Sequence, residues 1–233
     1  MSKKYNNIFF YLFSISLIYF VMFAAFYLVC FLDKNGLYKL IIKNETYNYL
    51  PFSLSDFDIK NIASELMKYI SGKLPFLETK VTINGALSEF YSVRSKIHMA
   101  DVRNLILNFR NVTFISIIIC IFSLFKIQKL DNAIDKIKSA YIKTLIFIAI
   151  LLILLTIFAT TNFDLFFTKF HETLFTNDLW LLDPSEDYII CLLPTKIFMI
   201  YGIRIVIAML IALLLPFLCL QLLSKTQLRQ EAK

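Results

Sequence analysis

Four long apolar stretches separated by polar segments dominate the hydrophobic pattern of the chain. A helix needs about 20 apolar residues to cross the hydrocarbon core of a bilayer. The pattern therefore predicts four transmembrane helices, at about residues 8–31, 105–125, 144–163 and 197–224. The second stretch is short if it begins at Val112, so it is extended back past Arg110, whose side chain is expected to reach the outer interface.

The polar segments between these helices differ in length and in pattern. Residues 32–104 are too many for a simple connection and are expected to fold. Within them, apolar positions at helical spacing over 55–71 predict an amphipathic helix, with Ser55 and Asp58 as its capping box. Short strands are predicted at 38–42 and 80–84. This lobe either packs on the membrane surface or covers a lipid site, and the pattern favours neither.

The predicted fold class is a mainly α, polytopic integral membrane protein with four transmembrane helices and a small extracytoplasmic α+β lobe. Residues 1–233 form a single membrane domain. With 58% hydrophobic residues, the composition is typical of the membrane class.

Charge along the chain predicts how the helices are oriented. The formal net charge is +7, and the basic residues cluster beside the apolar stretches, so they indicate topology rather than a nucleic-acid partner. Residues 126–143 are rich in lysine and are expected to be a cytoplasmic loop, whereas residues 164–196 are acidic. Both termini are therefore predicted to be cytoplasmic, and residues 32–104 and 164–196 extracytoplasmic.

The cysteines show no sign of a disulfide framework or a metal site. Four are present, and none forms a C-x-x-C pair. Three lie in apolar stretches, and Cys191 stands alone outside them. No metal or other cofactor is predicted, and the sequence leaves the oligomeric state open.

Both histidines of the chain fall in the predicted extracytoplasmic segments. Arg94, His98 and Asp101 lie on one face of a helix predicted over 92–108. Asp101 is in position to hold the His98 ring through one nitrogen, although a solvated face with a local charge pair has the same pattern.

The second external segment is rich in aromatic and acidic residues. His171 and Asp178 share a helical face, and Trp180 follows them. Asp183 and Pro184 match the N-cap and first position of a further helix, which would give Asp183 a structural role.

Arg204 is an ionisable residue inside the fourth apolar stretch. Such residues mark functional sites by default. An ion pair with Asp164 or Asp178 is expected, and extension of the side chain to the outer headgroups is the alternative.

Two segments taken together resemble a known family. The first is SKIHMADV at 95–102, and the second is FHETLFTNDLWLLDP at 170–184, followed by Asp187 and Leu193-Pro194. With a YISG block at 69–72 and four spans, they are similar to the lipoprotein intramolecular transacylase (Lit) family of low-GC Gram-positive bacteria. In one departure, Ser95 follows Arg94 where an acidic residue is expected.

The resemblance implies an enzyme of the bacterial cell membrane. It would move the sn-2 acyl chain of a diacylglyceryl lipoprotein to the α-amine of the N-terminal cysteine, forming a lyso-form lipoprotein. Its partners would be such lipoproteins and membrane lipid. His98 and His171 would act as acid and base in an unassigned order. The supporting or substrate-binding residues would be Arg94, Asp101, Asp178, Trp180, Asp183 and Arg204.

Two other functions stay open from the residues alone. One is a metal-dependent membrane hydrolase that uses both histidines and nearby acids, although no H-E-x-x-H spacing occurs. The other is a non-enzymatic subunit of an assembly or transport system.

Overall fold

Four long helices carry most of the chain in the computed structural model, which describes residues 3–128, 130 and 132–231. They are α1 (Lys3–Phe31), α4 (Val93–Ile127), α5 (Ala133–Thr161) and α8 (Thr195–Glu231). Each contains a span long and apolar enough to cross a membrane, with mean hydropathy from 2.0 to 2.8. The predicted class, a mainly α polytopic membrane protein with four transmembrane helices, is confirmed.

The short elements form the lobe. They are α2 (Gly36–Lys43), a 3₁₀ turn (Thr46–Tyr49), α3 (Asp56–Ile70), β1 (Lys80–Ile83), β2 (Ala86–Glu89), α6 (Phe163–Leu174) and α7 (Ile189–Leu192). The strands pair antiparallel, with Lys80 opposite Glu89 and Ile83 opposite Ala86. Asn84 and Gly85 between them both have positive φ, as a two-residue hairpin turn requires.

The chain divides into two compact units. The membrane unit comprises the chain up to Tyr27, Arg110–Thr161 and the chain from Ile205 onward. The lobe unit comprises Leu28–Phe109 and Asn162–Arg204. Because α4 contributes to both, its first 17 residues, Val93–Phe109, belong to the lobe unit.

Apolar packing and few polar contacts hold the membrane unit together. Tyr141 is fully buried among apolar side chains and donates a hydrogen bond to the carbonyl of Leu213 at 2.7 Å. The hydroxyl of Ser224 donates to the carboxylate of Asp135 at 2.7 Å. Many large apolar side chains on α4, α5 and α8 are exposed, as a surface in contact with lipid tails requires.

The lobe unit has its own core, to which α3 contributes as predicted. Ser55 caps α3 by accepting a hydrogen bond from the backbone N–H of Asp58 at 3.1 Å. Ile59, Ile62 and Leu66 repeat at helical spacing and are buried in this core. The predicted strand at 80–84 is confirmed as β1.

The strand predicted at 38–42 is wrong, because this segment lies in helix α2. Its apolar residues Leu37, Leu40 and Ile41 are spaced three and four positions apart and are all buried. A strand would turn Leu40 and Ile41 to opposite faces, whereas the helix buries both against the same core.

Candidate active site

The two histidines lie next to each other in the lobe unit. His98 is in the first turns of α4 and His171 is in the last turn of α6. Their ring centroids are 5.9 Å apart, and both residues are buried, at 5% and 7% exposure. Two imidazolium ions at this separation would repel each other, so the pair favours at most one positive charge.

The orientation and tautomer of His171 are set by its own helix and by aromatic neighbours. Its Nδ1 lies 2.7 Å from the carbonyl oxygen of Phe167, one turn earlier. Since a carbonyl only accepts, Nδ1 carries the hydrogen and the neutral ring presents the lone pair of Nε2. The ring stacks on Trp180, with centroids 4.9 Å apart. Burial lowers the pKa of His171, and the bond to Phe167 partly opposes this shift.

His98 has a different environment. Its Nδ1 is buried and has no hydrogen-bond partner among the described residues. The ring packs edge-to-face with Phe175, with ring centroids 5.3 Å apart. The ring centroids of Phe175 and His171 are 5.7 Å apart. A buried ring nitrogen without a partner is costly, so it indicates a place that a bound group can satisfy.

The prediction that the carboxylate of Asp101 accepts a hydrogen bond from the His98 ring is wrong, since Nδ1 of His98 has no partner among the described residues. The Oδ2 atom of Asp101 instead accepts from the side-chain amide of Asn177 at 3.0 Å. Asn177 belongs to the loop after α6, and its own Oδ1 accepts from the N–H of Leu179 at 3.1 Å. The observed partner of the Asp101 carboxylate is therefore an amide from a segment distant in sequence, and not the ring that lies one turn earlier on the same helix.

Arg94 also binds this loop. Its Nε donates to the carbonyl of Leu181 at 3.0 Å, and its Nη2 donates to the carbonyl of Asp178. These two carbonyls flank Trp180, so Arg94 ties the start of α4 to the turn that places the indole on His171. The exposed side chain of Asp178 plays no part in this link, which uses only its backbone.

Asp187 provides a third link and was not among the predicted site residues. It is buried at 2% exposure and accepts hydrogen bonds from the hydroxyls of Ser92 and Ser95. It also accepts from the N–H of Asp183 at 2.9 Å. Ser95 stands where an acidic residue was expected, and the structure brings the carboxylate of Asp187 to it. The position of Asp187 in the second motif was the one sequence signal for it.

The helix predicted to start at Asp183 and Pro184 is wrong. Only one turn forms there, closed by bonds from the N–H groups of Glu186 and Asp187 to the carbonyl of Asp183, and α7 begins later, at Ile189. The Oδ1 of Asp183 accepts from the N–H and hydroxyl of Ser185, which lowers its pKa. The carboxylate of Asp187, at the end of this turn, accepts from Ser92 and Ser95.

Arg204 is not brought to the histidine pair by any observed contact. Its side chain is exposed on α8, and within the described part of the chain it forms no ion pair with Asp164 or Asp178. The expected ion pair is therefore wrong. A long cationic side chain at such a position can reach headgroups and needs no protein partner.

Cys191 is a poor candidate for a nucleophile. It is buried in the lobe core, and its Sγ lies 3.7 Å from the carbonyl of Pro184. Burial raises the pKa of this thiol, and only the thiolate is strongly nucleophilic. Among the described residues, no three His, Cys, Asp or Glu side chains are arranged to hold a metal ion.

Comparisons with known proteins agree with this fold. The structure matches a membrane-integral lipoprotein intramolecular transacylase, Lit, from Bacillus cereus with a TM-score of 0.75 and 24% identity, over 97% of this chain and 99% of that one. Two variants of the Bacillus cereus protein, each with one histidine replaced, match with TM-scores of 0.71 and 0.70. No curated protein shows significant sequence similarity to the chain.

The family model adds evidence from the sequence itself. The model described as lipoprotein intramolecular transacylase Lit matches residues 11–198, which is most of the chain and includes both histidines and the loop after α6. The chain therefore belongs to the Lit family of membrane enzymes, the lipoprotein intramolecular transacylases.

Proposed function

We propose that this enzyme moves the sn-2 acyl chain of a diacylglyceryl lipoprotein to the α-amine of its N-terminal cysteine. The observation that carries the proposal is the buried histidine pair, in which one ring has a set tautomer and the other an unsatisfied nitrogen. The products are an N-acyl cysteine and a free sn-2 hydroxyl, which together make the lyso-form lipoprotein.

His171 is the proposed general base. The acceptor amine, with a pKa of about 7.7–8.0 in model peptides, must be neutral to attack the ester carbon. As the N–C bond forms, the amine becomes acidic and transfers a proton to Nε2 of His171. The bond from Nδ1 to the Phe167 carbonyl stabilises the resulting imidazolium.

His98 is the proposed partner for the developing oxyanion. A neutral imidazole has one N–H, and a donor placed in a buried site stabilises charge that forms in the transition state. The C–O bond then breaks, and the glycerol oxygen takes the proton held by His171. Both histidines return to their starting states, and, counted from the neutral amine, no proton is gained or lost.

No acyl-enzyme is needed in this scheme. The sequence has no G-x-S-x-G nucleophile motif, and Cys191 is buried with a raised pKa. Donor and acceptor belong to one molecule, so correct orientation replaces a separate binding event and contributes several kcal/mol, up to about 7–11 kcal/mol in ideal cases.

An isotope experiment tests the proposed transfer. Two diacylglyceryl lipopeptides are mixed, one with a labelled sn-2 chain and the other with a labelled peptide, and are incubated with purified enzyme in detergent without phospholipid. Mass spectrometry should find the labelled N-acyl chain only on the unlabelled peptide. Labelled acyl chains on labelled peptides, or an acylated protein that turns over, would contradict intramolecular transfer. His171→Ala protein is the negative control.

We also propose a topology, with both termini cytoplasmic and both histidines on the extracytoplasmic side. The lysine-rich segment 126–143 and the acidic segment 164–196 support it. In a variant without native cysteines, an impermeant thiol reagent on intact cells should label a cysteine at Ser88 and leave one at Lys136 unlabelled. The opposite labelling pattern would exclude this topology.

A further inference from the structure

Among the described residues, Asp101 is a carboxylate close to His98 that has no cationic partner in an ion pair. It lies three residues after His98 on α4, so the two side chains share a face with Cβ atoms about 5–6 Å apart. The amide of Asn177 donates to its Oδ2 atom, and Asn177 follows Phe175, which contacts both histidine rings. Within the part of the chain that the structure describes, neither lysine nor arginine forms an ion pair with it.

The hydrogen bond from Asn177 does not neutralise this charge. An amide is an uncharged donor, so Asp101 keeps its negative charge while one of its oxygens is held in place. Arg94, the cation on the same face of α4, has its guanidinium on the carbonyls of Leu181 and Asp178. The carboxylate is half-buried, and its attraction for a cation is stronger there than in water.

The proposed substrate brings such a cation. An α-amine with a pKa of about 7.7–8.0 is mostly protonated at pH 7 and enters the site as an ammonium group. The two buried imidazoles offer it no charge. A carboxylate one helical turn from His98 is placed to attract the ammonium group and hold it next to the rings.

We propose that Asp101 binds the α-ammonium group of the lipoprotein and so selects substrates with a free N-terminal amine. The inference rests on the proposed function in taking that amine as the acceptor. The bound ammonium group loses one proton to water before it attacks the ester, and Asp101 stays ionised throughout. A lipoprotein whose cysteine nitrogen is already in an amide bond carries no such charge and is bound less tightly.

The test measures binding without turnover. The probes are two diacylglyceryl lipopeptides with an ether in place of the sn-2 ester, one with the α-amine and one with a hydroxyl in its place. At pH 7 the unmodified enzyme should bind the amine at least about tenfold more tightly. Asp101→Asn should reduce this ratio to about 1, and Asp101→Glu should keep most of it.

Glu186→Gln is the matched control, because that side chain is an exposed carboxylate in the same external segment and has no assigned role in the site. It should keep the unmodified ratio. A ratio retained by Asp101→Asn, or lost equally in Glu186→Gln, would overturn the inference.

A second measurement uses the unmodified enzyme and does not depend on the folding of a variant. The preference for the amine should disappear at pH 9.5, where the amine is neutral, while the affinity of the hydroxyl probe stays constant. A preference unchanged at pH 9.5 would also overturn the inference. Since the ether probes cannot be transacylated, failure of the isotope experiment and failure of this one are separate results.

Discussion

The interactions within the membrane unit differ in kind from those within the lobe unit. In the membrane unit, the few polar contacts supplement apolar packing, as with the Tyr141 hydroxyl on the Leu213 carbonyl. In the lobe unit, three polar links join the start of α4 to the loop after α6. Arg94 donates to two backbone carbonyls of the loop, and Asp101 accepts from Asn177. Asp187 of the loop accepts from Ser92 and Ser95. That loop carries the Trp180 side chain that stacks on His171.

The difference shows where this molecule depends on single residues. Long apolar helices are stabilised in lipid by many equivalent contacts and by their own backbone hydrogen bonds. The histidine pair, in contrast, is assembled from segments far apart in sequence, and each link between them uses specific donors and acceptors. Substitutions that remove one polar group should therefore matter more in the lobe unit than in the membrane unit.

The largest effect is expected at the histidines themselves. Either His98→Ala or His171→Ala should lower lyso-form production by about 10²–10⁴-fold, the usual contribution of general acid–base catalysis. The double variant should lose little more than the worse single variant, because groups that act together are not additive. Mass spectrometry of lipoprotein N-termini measures this, at matched levels of expressed protein. Normal conversion by His171→Ala would exclude it as the base.

A paired substitution compares the two units directly. Asp187→Asn removes a buried charge that accepts three hydrogen bonds and should lower the free energy of unfolding by about 1.5–3 kcal/mol. Tyr141→Phe removes one neutral hydrogen bond in the membrane unit and should cost about 0.5–1.5 kcal/mol.

Fluorescence of Trp180, the single tryptophan, reports on the lobe unit in both variants. Its emission should change in folded Asp187→Asn and remain native in folded Tyr141→Phe. If the two substitutions lowered the free energy of unfolding equally and both emission spectra stayed native, single polar groups would not matter more in the lobe unit than in the membrane unit.

The dependence on pH should distinguish the enzyme from its substrate. Burial lowers the pKa of His171 in the folded protein, whereas in the unfolded chain this side chain is protonated near pH 6.5. This residue should therefore reduce stability as the pH falls below 6.5, and His171→Gln should make that slope shallower. If the free energy of unfolding depended on pH equally in this variant, the loss of stability at low pH would come from groups other than His171.

In activity, burial holds the pKa of the proposed base below its ordinary value, so the rise in rate should follow the pKa of the substrate amine. Initial rates between pH 5.5 and 9 should rise through the amine pKa, with no separate inflection near 6.5. A lipopeptide with a less basic α-amine should move the whole rise to lower pH. If the pH range of the rise in rate were the same with this substrate, the rise could not be assigned to the substrate amine.

The smallest effect is expected at Cys191. Cys191→Ser removes a buried thiol that the proposed reaction does not use, and activity should stay within about twofold once protein amounts are matched. Cys219→Ser, at an exposed cysteine of α8, serves as the control. Complete loss of activity in a folded Cys191→Ser protein, with normal activity in the control, would indicate an acyl-enzyme.

The sequence by itself determined the features that depend on local pattern. Long stretches of mostly apolar residues predicted all four long helices, although Arg110 and Arg204 interrupt two of them. A helix in lipid satisfies its backbone hydrogen bonds within the segment. The spacing of Phe57, Ile62, Leu66 and Ile70 and the cap at Ser55 predicted α3. Of these apolar residues, Ile62 and Leu66 are in the buried core, whereas Phe57 is exposed. Where local patterns were ambiguous, prediction failed, as at α2 and at the turn after Asp183.

Only the tertiary structure decided which polar groups meet. Helical spacing paired Asp101 with His98, yet Asn177 from another segment is the observed partner. Nothing in the pattern showed that Asp187 would reach Ser95, or that Arg94 would bind two backbone carbonyls. The physical reason is that hydrophobic periodicity records which face of an element is buried, whereas a hydrogen bond depends on the positions of two atoms that the fold alone brings together.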